Sequence, residues 1–244
     1  MKTTIVIKDT FGNNLFTYEC ENNTIKKTVE EAVKQNKALR VADLRDANLN
    51  GANLRDAGLS GANLCRANLY EANLSGAILC STNLLQVNLR AANLDDANLQ
   101  NADLRAANLD YADLQNANLR NAILIFTNLS KTKNTPFIPL ACPSEGAFVA
   151  WKKVDNCIIK LFIPEDAKRT SATSNKCRCD KAKVLEIVDL TTNEHIDEVI
   201  NEEYAKCVYK VGEMVYPDKF DEYRWNECSN GIHFFINKQE AIEY

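Results

Sequence analysis

Leucine recurs at every fifth position through the middle of the chain, nineteen times without a gap from Leu39 to Leu129. Helices repeat near 3.6 residues and strands repeat every two, so neither element stays in phase with a five-residue period. A coiled solenoid does stay in phase, because its backbone turns by the same amount every five residues. The pattern therefore predicts a solenoid over residues 39–130.

The residues beside each leucine make the repeat specific. From Leu44 onward, alanine stands two positions before the leucine in 15 of 18 repeats, with Thr82, Val87 and Thr127 as the exceptions, and the residue between is Asn or Asp in 15 of 18. Leucine with alanine suits a narrow axis that holds one large and one small side chain per step. Asn and Asp bond nearby backbone and tolerate turn conformations, so we expect them at the corners.

The motif A-N-L-x-x, as in Ala52-Asn53-Leu54-Arg55-Asp56, resembles the pentapeptide repeat family. This resemblance implies a right-handed quadrilateral parallel β-helix. With four pentapeptides per turn and about 4.8 Å between turns, the repeats would make nearly five turns, in a rod roughly 20 Å tall. A rod of this height is expected to display or space a binding surface.

The N-terminal residues predict a small cap. Residues 3–8 and 14–19 alternate like the strands of a hairpin. Thr28-Val29-Glu30-Glu31 has the spacing of a capping box, which predicts a helix to about Lys37. Because the end of a solenoid exposes unpaired backbone, this β-β-α segment, residues 1–38, is expected to close the first turn.

After a linker at 131–140, the last part of the chain, 141–244, predicts a separate α+β domain in a mainly β protein. The apolar runs that predict its strands are 147–151, 157–163, 182–188, 207–211 and 231–236, and 238–244 predicts a short helix. Segments at 147–153, 163–169 and 226–235 resemble an uncharacterised domain joined to pentapeptide repeats in bacteriophage and prophage proteins. That resemblance implies a phage or prophage origin and action in the bacterial cytosol, and it supplies no catalytic residues.

Charge and cysteine content restrict the function classes. Residues 39–130 carry seven arginines, no lysine and nine acidic residues. Some members of the family imitate duplex DNA, which needs uninterrupted acidic columns, so DNA mimicry is a weak interpretation here. An odd count of nine cysteines, no apolar run near 18 residues and no signal-like start predict a cytoplasmic protein that avoids membranes and has no structural disulfide.

Three outward positions of the repeat are candidates for a partner surface. Ile78 and Leu85 are apolar where polar residues are the rule, and Arg90 is one of the arginines that interrupt the acidic positions. Apolar side chains on the outside of a rod fit a partner contact. The alternative is a rod that serves only as a spacer.

A phosphate site is the second candidate. The segment 168–183 carries six cations and one acid, interleaved with hydroxyl residues, and such a loop can hold phosphate through charge-assisted hydrogen bonds. The residues assigned to this site are Lys168, Arg169, Lys176, Arg178 and His233. A solvated basic turn is the alternative, since charge runs usually lie at the surface.

His233 is also the strongest candidate for acid-base chemistry. It lies between Ile232 and Phe234 and close in sequence to Glu227, so it could exchange a proton or bind a ligand. The alternative is a structural histidine with a satisfied partner. The spacing of Cys177, Cys179 and Cys228 does not match a zinc site, and we predict no metal and no cofactor.

Three functions follow, in order of preference. The first is a non-catalytic interaction protein, in which the rod presents a globular head that binds a host macromolecule, with inhibition of that macromolecule left open. The second is a binder of a phosphate-bearing nucleotide through the C-terminal domain. The third is an enzyme acting on a nucleotide, which ranks last because no known catalytic motif is present. Monomer and homodimer both remain open.

Overall fold

The computed structural model describes residues 1–136, 140–201, 207–226 and 229–244 of a mainly β chain. It divides into two compact units, Met1–Phe137 and Ile138–Tyr244. The finer division into a cap at 1–38, a rod at 39–130 and a linker at 131–140 stays a prediction.

The repeat forms a solenoid in which each turn takes twenty residues. Parallel β-bridges join Asp43 to Asn63 and Asn63 to Asn83, and the series continues to Lys133. Backbone hydrogen bonds link the same neighbours, as from Leu64 N to Asn83 O at 2.8 Å. Four pentapeptides therefore make one turn with four sides, which confirms a β-helix-type fold, while its right-handedness stays what the resemblance implies. We number the sides by the alanine that starts each one: Ala42 for side 1, Ala47 for side 2, Ala52 for side 3 and Ala57 for side 4.

The axis of the solenoid is filled by the repeated leucines and alanines. The leucines from Leu39 to Leu124 are at most 2% exposed. Val87 takes an alanine position at 1% exposure, and Thr82 and Thr127 are equally buried. Each threonine hydroxyl donates to a carbonyl oxygen of the preceding turn, Thr82 to Leu59 O at 3.0 Å and Thr127 to Leu104 O at 2.7 Å. The exceptions to the motif are therefore accommodated without an unpaired hydroxyl.

The corners of the solenoid lie two residues after each leucine, so the prediction that Asn and Asp occupy them is wrong in position. The corner residue has a positive φ, as in Arg66 at 58°, and the next amide returns to the leucine carbonyl, as from Ala67 N to Leu64 O at 3.0 Å. The Asn before the leucine lies in the β-bridge, where the backbone is extended. Its side-chain oxygen accepts from the amide two residues ahead, as in Asn63 Oδ1 with Cys65 N at 3.1 Å. The predicted bond to nearby backbone is thus correct.

The chain begins with an antiparallel hairpin, β1 (Lys2–Lys8) and β2 (Asn14–Glu21), followed by helix α1 (Ile25–Lys34). The predicted capping box at Thr28 is wrong, because the helix begins one turn earlier. Thr24 is the N-cap, and its hydroxyl accepts from Lys27 N at 3.2 Å. Thr28 is fully buried inside the helix and donates to Thr24 O at 3.0 Å.

These N-terminal elements supply hydrogen-bond partners to the first turn of the solenoid. Asp43 N donates to Lys8 O at 2.8 Å, in place of the preceding turn that later residues use. From α1, the Glu30 carboxylate accepts from Asn53 N at 2.9 Å, and Lys26 Nζ donates to Asn50 O at 2.8 Å. The open end of the solenoid is paired in this way by backbone and side chains.

The C-terminal unit contains the strands that the apolar runs predicted, in three antiparallel groups. A four-stranded sheet has the order β10-β7-β4-β3, a three-stranded sheet has the order β11-β6-β5, and β8 pairs with β9. The elements are β3 (Phe148–Val154), β4 (Cys157–Ile163), β5 (Arg169–Ser171), β6 (Cys177–Cys179), β7 (Ala182–Asp189), β8 (Glu198–Asn201), β9 (Cys207–Lys210), β10 (Met214–Val215), β11 (Ile232–Phe234) and helix α2 (Lys238–Glu243).

The core of this unit lies where the sheets meet. Leu161 on β4 pairs with Ala150 on β3 and with Val184 on β7, and all three are fully buried. A backbone bridge between Trp151 and Phe235, with N to O distances of 2.8 Å in both directions, connects the middle of β3 to the residue that follows β11. This bridge brings the two larger sheets together around the cluster of buried residues.

Candidate functional site

The three predicted partner residues of the rod lie on different sides of the solenoid. Ile78 is on side 4 and is 47% exposed, Leu85 is half-buried on side 1, and Arg90 is exposed on side 2. The structure does not place them on one side. Their assignment as partner contacts stays a prediction, and each side must be judged by its own neighbours.

Side 2 carries an aromatic and cationic surface around Arg90. The Arg90 guanidinium lies 5.8 Å from the ring centroid of Tyr70 and 5.4 Å from that of Tyr111. Lys131 Nζ lies 5.0 Å from the Tyr111 ring centroid and donates to the Tyr111 hydroxyl at 3.0 Å. We call these four residues, Tyr70, Arg90, Tyr111 and Lys131, the side-2 column.

The electrostatics of the side-2 column are mixed. Hydrogen bonding to Glu71, and then the charge of Glu71, raise the pKa of the Tyr70 hydroxyl. The hydrogen bond to Tyr111 raises the pKa of Lys131, with the charge of Asp110 acting in the same direction. The surface therefore offers rings, cations and carboxylates within one strip. Sequence inspection missed Tyr70, Tyr111 and Lys131, although counting in turns of twenty residues pairs Tyr70 with Arg90 and Tyr111 with Lys131 on side 2.

The cationic segment 168–183 folds into two paired strands rather than one loop. Thr170 on β5 pairs with Arg178 on β6. Arg178 is only 1% exposed, and its guanidinium donates to the carbonyl oxygens of Asp221 at 3.0 Å, Asn230 at 3.1 Å and Tyr223 at 3.1 Å. Arg178 therefore connects the chain around residues 221–230 to β6.

The other cations assigned to the phosphate site are also engaged within the unit. Arg169 donates to the carbonyl oxygens of Gly146 and Glu165, each at 2.6 Å. Lys176, 8% exposed, donates to the Tyr244 hydroxyl at 2.6 Å. Lys168 forms an exposed ion pair with Glu222. These contacts stabilise the fold, and the assignment of the four cations to a phosphate site stays a prediction.

His233 lies on β11, directly opposite Arg178 on β6. It is half-buried, whereas Ile232 and Phe234 on either side are at most 1% exposed, which agrees with the predicted alternation. Its proposed partner Glu227 and the thiol of Cys228 lie outside the described residues. His233 also lines a cavity of the C-terminal unit, of about 300 Å³.

The cysteines and the helices complete the survey of sites. The eight described cysteines are free thiols, and in the ranges that the structure describes no three metal-binding side chains come together. Burial raises the pKa of the Cys179 thiol, against the attraction of Arg169. Neither the length nor the apolar content of any described helix is sufficient to span a membrane.

Comparison with known families and structures divides the chain in the same way as its fold. The family described as pentapeptide repeats matches in overlapping segments, 42–79, 58–96, 67–105 and 97–133. A family of unknown function, DUF5758, matches residues 138–241. The middle of the chain is thus confirmed as pentapeptide repeats. No curated protein matches the chain.

Several solved structures are similar to the repeat. The pentapeptide repeat protein Rfr23 from the cyanobacterium Cyanothece 51142 is 38% identical over 34% of this chain and 63% of its own, with a TM-score of 0.20. HetL from Nostoc sp. strain PCC 7120, involved in heterocyst differentiation regulation, is 32% identical over 38% of this chain and 61% of its own, at 0.17. The protein alr5209 from Nostoc PCC 7120 is 29% identical over 47% of this chain and 88% of its own, with a TM-score of 0.25. The chain thus spans about three fifths of the length of Rfr23 and HetL.

Proposed function

We propose that this chain, whose residues 42–133 are pentapeptide repeats, is a non-catalytic binding protein that holds a protein partner at the side-2 column. The resemblance to phage and prophage proteins extends the proposal: the partner is a host protein, binding inhibits it, and the setting is the bacterial cytosol.

The observation that carries the proposal is the stacking of Arg90 between two tyrosine rings. Tyrosine and arginine are the residues that contribute most to binding energy at protein interfaces. Arg90 is held between Tyr70 and Tyr111, with its charge over both rings, so little side-chain entropy remains to be lost when a partner binds. The solenoid backbone fixes the three residues at the spacing of successive turns.

The charges around the column favour a protein over a nucleic acid. Glu71 hydrogen-bonds Tyr70, and Asp110 lies close enough to raise the pKa of Lys131. Phosphates along a nucleic acid would meet these carboxylates, and the affinity of such complexes depends on cations that neutralise phosphate. A protein surface with both signs of charge fits the column better.

A capture experiment with full-length protein tests the proposal. Immobilised wild type and Arg90→Glu are exposed to bacterial lysate, and retained proteins are quantified by mass spectrometry. Arg120→Glu is the matched control, because Arg120 is exposed on side 4. We expect at least one protein to be retained by wild type and by Arg120→Glu, and its retention to fall by about tenfold or more with Arg90→Glu, since loss of a hot-spot residue costs about 2 kcal/mol or more.

The same experiment separates the predicted surfaces. Leu85→Ser changes side 1 and Ile78→Ser changes side 4. If capture falls with either variant and not with Arg90→Glu, the partner uses another side and the proposal for side 2 is wrong. Equal capture by all variants contradicts a specific contact on the rod.

A further inference from the structure

The cavity that His233 lines is formed by residues of five described strands of the C-terminal unit, β3, β8, β9, β10 and β11. Lys152 enters from β3, Cys207 and Tyr209 from β9, and Ile232 and His233 from β11, while Lys219 follows β10. Its volume of about 300 Å³ lies at the lower end of the range of small-molecule sites, about 300–1,000 Å³. The cavity therefore has room for one compact ligand.

Lys152 places a half-buried positive charge in the lining of the cavity. Its ammonium lies 5.8 Å from the centroid of the Tyr209 ring, and among the described residues it is not part of an ion pair. Burial lowers the pKa of Lys152 to about 8, with Lys176 acting in the same direction and Cys207 and Cys179 opposing it. A half-buried ammonium without a carboxylate is costly, and an anion in the cavity would offset that cost.

The remaining lining adds a second cation and an apolar wall. Lys219 is exposed beside the cavity, and Asp218 is the one acidic residue among the described lining residues. Ile232 is buried and Val215 is 5% exposed, whereas Tyr216 is 61% exposed. An anionic group can therefore meet the lysines while an aromatic ring packs against apolar and tyrosine side chains.

We propose that this cavity binds a small organic phosphate with an aromatic ring, the chemistry of a nucleoside monophosphate, with Lys152 and Lys219 at the phosphate. A volume of about 300 Å³ matches the size of one compact ligand. This site is separate from the side-2 column, so its failure would leave the proposed function of the rod unchanged. It also differs from the sequence-based phosphate site, because its cations are not those of residues 168–178.

Isothermal titration calorimetry of the full chain tests the site with adenosine monophosphate, adenosine, inorganic phosphate and benzoate as probes. We expect adenosine monophosphate to bind more tightly than each of the others by about tenfold or more, because only it offers both the phosphate and the ring. Lys152→Met and Lys219→Ala should each weaken the binding of adenosine monophosphate by about tenfold, since each removes a charge-assisted contact. Lys183→Met, an exposed lysine on β7 that does not line the cavity, is the matched control.

The dependence of affinity on pH distinguishes direct contact from a structural role of Lys152. A phosphate monoester is fully ionised above about pH 7. Affinity in wild type should therefore fall from pH 7 to pH 9 as Lys152 loses its proton, and this fall should be absent from Lys152→Met. The other titratable groups near Lys152 are Lys176, Cys179, Cys207, Tyr209, Asp218, Lys219 and His233. Because Lys152→Met keeps all of them, any pH dependence that persists in the variant comes from these groups.

Three results would overturn the proposal. The first is the absence of binding by adenosine monophosphate and the matching guanine, cytosine and uracil nucleotides. The second is unchanged affinity in Lys219→Ala, a variant that is expected to fold because Lys219 is exposed. Benzoate binding as tightly as the nucleotide would reject phosphate as the preferred anion.

Discussion

The two units of this chain bury different kinds of residue. The axis of the repeat holds leucine and alanine at nearly every step, and its buried polar groups are the hydroxyls of Thr82 and Thr127. The C-terminal unit, in contrast, buries an arginine and a lysine, Arg178 and Lys176. A periodic axis has no place for charge, because every position contacts an equivalent apolar neighbour. An irregular core can surround individual charges with carbonyl oxygens.

This difference separates the possible functions. In the repeat, chemistry is confined to outward positions, where side chains such as Arg90 stack in columns set by the twenty-residue turn. In the C-terminal unit, strands distant in sequence enclose a cavity with a half-buried lysine. The rod is therefore suited to contact with large partners, and the C-terminal unit is suited to a small ligand.

Replacing Arg178 should have the largest effect on stability. Arg178→Ala removes the guanidinium donor from three carbonyl oxygens, of which Asn230 O and Tyr223 O keep a backbone donor. It also opens a buried space, so we expect a loss of about 3–5 kcal/mol in the free energy of unfolding. Both tryptophans, Trp151 and Trp225, are in the C-terminal unit, so their fluorescence during urea denaturation reports this loss. Arg178→Lys should lose less, and Arg120→Ala should change little. A small change in Arg178→Ala would show that the buried charge is dispensable.

Removing an axis leucine should have the next largest effect. Leu89 is fully buried, and Leu89→Ala is expected to cost about 3 kcal/mol, from lost burial and the cavity left behind. Leu85→Ala is the matched control, because Leu85 is a half-buried leucine at an outward position of the same turn. Urea denaturation followed by circular dichroism gives both values. Equal losses would contradict the distinction between axis and outward positions.

Lys152→Met should stabilise the C-terminal unit. Folding lowers the pKa of Lys152 from 10.5 to about 8, so the charged form costs on the order of 3 kcal/mol at pH 7. Between pH 8 and about 10.5 the unfolded chain binds more protons than the folded chain, and the stability of wild type should rise with pH across this window relative to the variant. Tryptophan fluorescence during denaturation at several pH values measures the difference. A constant difference between the two proteins would exclude titration of Lys152 as its cause.

Thr82→Ala should have the smallest effect, although it restores the motif. The hydroxyl of Thr82 donates to Leu59 O at 3.0 Å, and its loss should cost about 1 kcal/mol. Thr127→Ala removes the equivalent bond to Leu104 O. It therefore provides an independent measurement of what such a hydrogen bond contributes to stability. If circular dichroism shows that both variants are more stable than wild type, alanine at this position stabilises the axis more than threonine with its hydrogen bond does.

Much of the candidate surface on the rod could have been read from the sequence. Once the turn is known to take twenty residues, Tyr70, Arg90 and the pair Tyr111 and Lys131 fall on one side by counting. The three residues chosen by their unusual character, Ile78, Leu85 and Arg90, instead lie on three sides. Residue type alone was a poor guide, because neighbours in a solenoid are set by spacing.

The phosphate prediction in the C-terminal unit shows the opposite case. The cations of 168–183 form a cluster in the sequence, yet Arg169 and Arg178 donate to carbonyl oxygens of the fold. The lysine of the cavity, Lys152, lies one residue beyond the predicted strand 147–151, in the part of β3 that the prediction left out, and had no signal of its own. A run of charged residues in the sequence does not show which of their side chains are buried, because burial depends on which strands pair.

The sequence by itself determined the five-residue period, the buried leucines and the approximate positions of the C-terminal strands, because these follow from local alternation of apolar and polar residues. It did not determine the start of α1: the spacing at Thr28 predicted a cap there, whereas Thr24 is the cap and Thr28 is buried inside the helix. The cavity required β3, β9 and β11 to meet, through pairings such as Trp151 with Phe235. Contacts between residues so distant in the chain depend on packing of the whole unit, and no local pattern specifies them.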